Sequence, residues 1–397
     1  MNTLLLATFP AEHARHGGQH RIANIKETYE RLGVSVQNVG IQGSPSYPAS
    51  AGYVSYPEKL ICSYEKTFLM EDYIIGQLVI KNRDLQSSLR KKIRVQPDII
   101  HVEHPWLVDF ANRYRSECKC KLLVYGSANV ESECRYSMLR HYFDENSSRS
   151  RAELIRRNEI EAARMADIVF AVSKQDYDWY SQYVPSTKII LARNGVNKRK
   201  RTLAGKTEFE ALQISRKFCM VCGSGYPFNA MGLIKCFSQG FGCLSPDQNL
   251  VIVGGMCNSL VDSTEFNEIA GLKRRCIFVP SASEDLLAEC LFRAHCVLLP
   301  IYEGGGSNLK TAEALLSGKY IIGTSKSFVG YEEYLNCKGI WIEDDPISFV
   351  KRIRQVMNLV PLQLDEKEMA RREELLWSKV LMQPISRCIS LAEGINK

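Results

Sequence analysis

Between Cys296 and Ser325 the chain gathers residue types suited to a phosphorylated, hydroxyl-rich ligand. Three consecutive glycines, Gly304, Gly305 and Gly306, are followed by Ser307, Lys310 and Glu313. Glycines carry no side chain to hold a ligand away from the backbone. Lys310 offers a full positive charge for phosphate. Glu313, three residues on and on a neighbouring position of the same helix face, offers acceptors for hydroxyls. A cation for phosphate beside a carboxylate for hydroxyls is what a nucleotide-sugar needs.

The flanking residues must position that chemistry. The apolar run 296–300 predicts a buried parallel strand. Ser307 is read as the N-cap of a helix whose packing face is Leu309, Ala312, Leu315 and Leu316, and which ends at Gly318. A second apolar strand follows, over 320–324. A helix N-terminus behind a glycine loop presents unpaired N–H groups and the positive end of the helix dipole, a ready anion site.

The string Glu303-Gly-Gly-Gly-Ser-Asn-Leu-Lys310-Thr-Ala-Glu313-Ala-Leu-Leu-Ser-Gly-Lys resembles the donor-binding segment of family 4 glycosyltransferases, specifically a subgroup reading Gly-Gly-Gly-Thr-Arg-Leu-Lys-x-x-Glu-Ala. The commoner family form has seven residues between two glutamates; here nine separate Glu303 from Glu313. Glu313 therefore matches the second glutamate and Glu303 the first only loosely. Asn308 stands where the subgroup usually has Arg. The resemblance implies an α/β protein of the GT-B fold, with two Rossmann-like parallel-sheet domains facing across a cleft. It also implies that Glu313 binds ribose, Glu303 holds sugar hydroxyls, and the glycines, Ser307 and Lys310 hold the diphosphate.

The first half carries matching parts. Residues 3–9 read as a strand, followed by a loop with Gly17, Gly18 and Arg21, then a helix over 22–32. The loop resembles the family's first loop, which contacts donor diphosphate and acceptor. The segment Asp98-Ile-Ile-His101-Val-Glu103-His104 is a strand running into a turn. It resembles the segment in which a family histidine reaches the donor sugar. His101 and His104 both compete for that role. Alternation puts His101 on a strand face with Glu103, whereas His104 lies at the strand end, and it is the favoured candidate. After the strand 121–126 the family often reads Asp-x-His-Asn-x-Glu. This chain keeps Asn129 and Glu131 but has Gly126 and Ala128 in place of the Asp and His. Arg193-Asn194-Gly195-Val196-Asn197 resembles the turn at which the family crosses to its second domain, with Asn194 near the nucleotide. Gly223-Ser-Gly-Tyr226-Pro227-Phe-Asn229 resembles the loop after the first strand of that domain. It lacks the Arg and Lys that many members carry there, which leaves Lys310 as the diphosphate cation.

The expected organisation is a first domain over 1–197, a polar linker over 198–217, a nucleotide-sugar domain over 218–375, and a terminal helical segment over 376–397 crossing back to the first. Lys198-Arg199-Lys200-Arg201 reads as a solvated start to the linker. The chain has 397 residues, 45% hydrophobic and 24% charged, ordinary for a globular protein. No apolar run approaches the roughly eighteen residues that span a membrane. Formal net charge is +7, from 51 Lys and Arg against 44 Asp and Glu. That excess suits anionic ligands or peripheral contact with an anionic membrane, and falls short of a nucleic-acid-binding signature. Fourteen cysteines lack disulfide or zinc spacing and fit a reducing cytoplasm, at the inner membrane surface if the acceptor is a lipid.

The function expected is glycosyl transfer from a nucleotide-diphosphate sugar to a saccharide or glycolipid hydroxyl. By resemblance it proceeds with retention, and with no essential metal or cofactor. The rivals are an epimerase or phosphorylase on the same ligands, and a non-catalytic sugar-binding or scaffold protein.

Overall fold

The computed structural model describes residues 1–12, 14, 16–62, 68–304 and 307–394. The chain divides into two compact units, Met1–Gly195 with Trp377–Lys397, and Val196–Leu376.

The first unit is built on a parallel sheet of β1 (Asn2–Ala7), β2 (Ser35–Ile41), β3 (Tyr53–Val54), β4 (Ile99–Glu103), β5 (Leu122–Gly126), β6 (Ile168–Ala171) and β7 (Ile189–Leu191), in the order β3-β2-β1-β4-β5-β6-β7. Every residue of β4 and β5 is buried, as expected of strands covered by helices on both faces. The order reverses between β1 and β4. At such a reversal the loops leaving neighbouring strands run to opposite sides of a sheet, which is where open α/β sheets bind ligands. The helix after β1 spans Gly17–Arg31 and so begins earlier than the expected position 22. Gly17 and Gly18 belong to its first turn. The chain end returns to this unit as the helices Trp377–Val380 and Met382–Ala392, burying Ile385, Cys388 and Ala392.

The second unit repeats the plan with β8 (Lys217–Cys222), β9 (Gln248–Val253), β10 (Cys276–Val279), β11 (Cys296–Leu299), β12 (Tyr320–Gly323) and β13 (Ile340–Ile342), all parallel, in the order β10-β9-β8-β11-β12-β13. Alternate residues feed two cores. Met220, Val251, Val253, Val297 and Leu299 pack on one face, and Cys219, Val221, Ile252, Cys296 and Leu298 on the other. Here the reversal lies between β8 and β11, the strands that lead into Gly223 and Gly304.

Two local expectations are corrected. Ser307 is not the cap: the helix is Leu309–Leu316, its N-cap is Asn308, and Asn308 makes no side-chain capping bond. Residues 198–217, expected as a polar linker with a solvated start at Lys198–Arg201, keep three of those four cations exposed but also form a helix. Thr202 caps a helix, Leu203–Ala211, whose Phe209 ring stacks on Phe218 at 6.1 Å between centroids. The buried Phe209 ring anchors the segment to the second unit. Among the described residues no helix is long and apolar enough to cross a membrane.

Candidate active site

At the reversal of the first sheet the site residues come from β1, β4, β5 and the helices behind them. His104 directly follows β4, in a backbone conformation, φ +65°, that a residue with a side chain rarely adopts. Its N–H donates to Gly126 O at 2.9 Å, and its ring meets Phe9 edge-on at 5.4 Å. Its Nδ1 lies 3.0 Å from Glu131 Oε1, and its side chain keeps 12% exposure. Strain of this kind persists only where the surroundings impose it, and it gathers at functional sites. His101 is different. It is 0% exposed and held between the Tyr29 hydroxyl at 3.2 Å and Glu103 Oε1 at 3.1 Å. It is a satisfied core histidine, and the strand-end histidine is the one left near solvent.

His104 and Glu131 form a charge-assisted pair. Burial works against the imidazolium, but the hydrogen bond and charge of Glu131 prevail, and the His104 pKa rises. Burial likewise opposes ionisation of Glu131, yet His104 and Arg135 together bring it to about 2. Glu131 is held in turn. The buried Glu159 carboxyl group, whose pKa burial pushes up to about 8, accepts the backbone N–H groups of Glu131 and Ser132 and caps the helix Glu131–Leu139 from a neighbouring helix. Arg135 donates to Glu131 Oε2 at 3.3 Å and to Asp72 Oδ2 at 3.2 Å.

Arg21, expected at the diphosphate, lies instead in the interior at 1% exposure. Its Nε donates to Glu103 Oε2 at 2.9 Å, and its Nη1 to Ala192 O at 3.0 Å and to Asn194 Oδ1 at 2.9 Å. A guanidinium so engaged with a buried carboxylate is a tie between β4 and the end of β7, not a surface cation. Asn194 is part of the same tie. Burial alone would raise Glu103, but Arg21 and then His101 lower it to about 2. Two of the glycines are closely packed. A Cβ on Gly18 would stand 2.8 Å from the Phe9 ring, and one on Gly126 only 1.7 Å from Glu103 Oε1. Gly126 is thus explained: the Glu103 carboxylate from the neighbouring strand fills the space a side chain there would need. Gly17 is exposed at the helix start.

In the second unit Lys310 lies in the first turn of its helix, and its ammonium donates to Asn229 Oδ1. Asn229 is fixed by its own Nδ2, which donates to Ser224 O at 2.9 Å. The loops after β8 and β11 are thereby joined at the reversal. The helix Pro227–Phe237 starts there too, with Pro227 at its first turn, where a missing N–H costs nothing. Burial pulls the Lys310 pKa down, against the pull of Cys222 and Glu313. Gly223 is buried, because a Cβ would meet Met256 Sδ at 2.5 Å and Asn229 Cβ at 2.9 Å. Gly304 takes φ +121°, and Glu303 and Ser307 are half-buried on the same loop. Gly305 and Gly306 lie outside the described residues. Glu313 Oε1 receives Arg199 Nη2 at 2.5 Å.

Sequence reasoning passed over Phe9, Glu131, Asn229 and Arg199 as members of the site. Asn229 had a signal, as the last residue of the Gly223-Ser-Gly-Tyr-Pro-Phe-Asn229 loop that resembles the family's. Arg199 had none beyond its run of cations.

These two parallel, doubly wound sheets are the GT-B architecture. Solved structures share it over nearly the whole chain. Sucrose-phosphate synthase from Thermosynechococcus elongatus matches with a TM-score of 0.69 and 15% identity over 99% of this chain and 100% of its own. WaaG, described as a glycosyltransferase involved in lipopolysaccharide biosynthesis, matches at 0.62 and 15% identity over 99% and 98%. Anabaena HepE, solved in complex with UDP and glucose, matches at 0.60 and 12% over 99% and 98%. At these identities the likeness is one of fold. No model of a known protein family matches the chain, and no curated protein matches it either.

Two outcomes follow from the first unit. Gly126→Ala should destabilise the protein by about 3 kcal/mol or more, because the new methyl displaces Glu103 from a buried ion pair. Urea unfolding measures this, and a change under about 0.5 kcal/mol contradicts the packing. For the His104–Glu131 pair the signs are opposite. A depressed carboxylate stabilises above its ordinary pKa and loses that contribution as pH falls toward 2. A raised histidine stabilises below about 6.5 and loses that contribution as pH rises through its folded value. Glu131→Gln should therefore return the His104 pKa to about 6.5 or below, as read by NMR titration of the ring. A pKa still raised in that variant would mean another group holds the proton.

Proposed function

We propose that this protein transfers a sugar from a nucleotide-diphosphate sugar to a hydroxyl of a saccharide or glycolipid acceptor. The transfer proceeds with retention and without an essential metal, in the manner of the family 4 enzymes whose triple-glycine segment it resembles. The observation that carries the reading is the convergence at one strand reversal of Lys310, Asn229, Glu313 and two helix N-termini. HepE, which shares the fold, was also solved with UDP-glucose. The net charge of +7 suits an anionic donor and an acceptor at a cytoplasmic membrane face.

The chemistry asked of the chain is charge stabilisation. As the bond from the anomeric carbon to the diphosphate breaks, negative charge gathers on the departing oxygen. The acceptor oxygen forms the new bond, and its proton leaves with the diphosphate. Lys310 supplies a full cation, and the start of the helix Leu309–Leu316 adds roughly half a charge. A partly dry ammonium attracts an anion more strongly than a hydrated one. Glu313 takes ribose hydroxyls, Glu303 takes sugar hydroxyls, and His104, charged and oriented by Glu131, donates to the transferred sugar.

Calorimetry with UDP, ADP and GDP, then product analysis with the matching nucleotide-sugars, tests the reading. Binding followed by a new glycoside supports it. An epimerised or phosphorolysed product points to the enzymatic rivals, and absence of binding to a scaffold. Lys310→Met should lower turnover on the order of 10²-fold or more, the usual loss for a removed transition-state donor, and weaken the diphosphate more than the monophosphate. Turnover near wild type would exclude Lys310 as the main cation. His104→Ala should lower kcat about 10²-fold while nucleotide affinity stays within about threefold. An equal loss in both would assign His104 to nucleotide binding.

A further inference from the structure

Four adjacent cations, Lys198 to Arg201, open the segment that enters the second unit, and they do not behave alike. Lys198, Lys200 and Arg201 are exposed, whereas the Arg199 side chain is drawn in to 22% exposure. Its Nη2 donates to Glu313 Oε1 at 2.5 Å and its Nη1 to Glu284. Glu284 is the first residue of the helix that follows β10, and Glu313 lies in the helix that follows β11. One planar guanidinium thus bridges the helices behind two strands of the sheet. The Glu313 side chain is 25% exposed, and it borders a cavity of about 160 Å³ whose lining includes Asn197, Lys198, Arg201 and Phe292. Glu313 also acts electrostatically on Lys310, on the neighbouring turn of its helix. The carboxylate is therefore held on one oxygen by Arg199, at the edge of open space and within the field of Lys310.

We propose that Arg199 is the positioning residue for nucleoside recognition: it fixes Glu313 by one oxygen so that the other meets the ribose hydroxyls of a bound nucleoside diphosphate. This rests on the nucleotide-sugar reading above. A free glutamate on a helix surface samples several rotamers, and fixing it costs side-chain entropy at the moment of binding. Arg199 removes that cost in advance, because a flat fork with several donors orients a carboxylate in a way a lysine point charge cannot. An ionised carboxylate only accepts, so a ribose hydroxyl satisfies it and a missing hydroxyl leaves it short of a partner. Arg199 then governs how well the site tells ribose from deoxyribose, without touching the sugar.

The test is calorimetric binding of UDP, ADP and GDP and of their 2′- and 3′-deoxy analogues to wild type, Arg199→Met and Arg199→Lys. Wild type should prefer the ribonucleotide on the order of tenfold or more over at least one deoxy analogue, the worth of one hydrogen bond to a charged group. Arg199→Met should bring that ratio to about 1–2 through loss of ribonucleotide affinity, with deoxynucleotide affinity unchanged. Arg199→Lys, which keeps the charge and so protects folding, should restore the ratio only part-way. A preference that survives undiminished in Arg199→Lys overturns the proposal, as does equal loss of ribo- and deoxynucleotide affinity in Arg199→Met. Failure of wild type to bind any of the three diphosphates overturns the nucleotide-sugar reading itself. Binding with no ribose preference in wild type overturns the role of Arg199 alone.

Discussion

A parallel sheet constrains everything else in this protein. Each strand must be re-entered from the same end, so each connection runs back over a face, and both faces are covered by helices. Ligands are then left the C-terminal edge, at the one place where neighbouring loops part. In the first unit that place lies between β1 and β4, and in the second between β8 and β11. Phe9 and His104 follow one pair of strands, and Gly223 and Gly304 follow the other.

Buried ion pairs and polar side chains make those edges rigid. Arg21, Glu103 and Asn194 join a helix and two strand ends, and Glu159 secures the helix that carries Glu131. Breaking such a pair leaves an unpaired charge in a dry interior, which is costly even where the intact pair adds little net stability. The value of these contacts therefore lies in holding one geometry. His104 shows the result, since an unfavourable backbone conformation is tolerated while its N–H, its ring and its Nδ1 are each engaged.

The second unit reaches a similar end with half-buried parts. Lys310 is tethered to Asn229, and Glu313 to Arg199. Each charged side chain that would meet a ligand is held by a partner from a different loop, so less ordering remains to be done when the ligand arrives. The absence of Arg and Lys between Gly223 and Asn229 is consistent with this arrangement. The helix that follows Gly223 contributes in its first turn an amide that orients a cation, in place of a cation of its own.

The sequence by itself determined what depends on near neighbours. Apolar runs of strand length, helical spacing, glycine punctuation and the placement of Lys310 and Glu313 on one helix are local properties. They were sufficient for the α/β two-sheet architecture and for the segment around Gly304. Boundaries set by competing local signals were less legible: Ser307 and Asn308 both suit a cap, and Gly17 and Gly18 suit a loop as well as a first helical turn. Tertiary structure alone decided the fate of the charges. Arg21 meets partners 82 and 173 residues away, and Arg199 meets one 114 residues away. Whether a cation is solvated or buried depends on whether a distant carboxylate is brought to it, and no period or spacing along the chain encodes that. The same physics separates His101 from His104. Both belong to one short segment, but only the folded sheet surrounds the first with Tyr29 and Glu103 and leaves the second at the open edge.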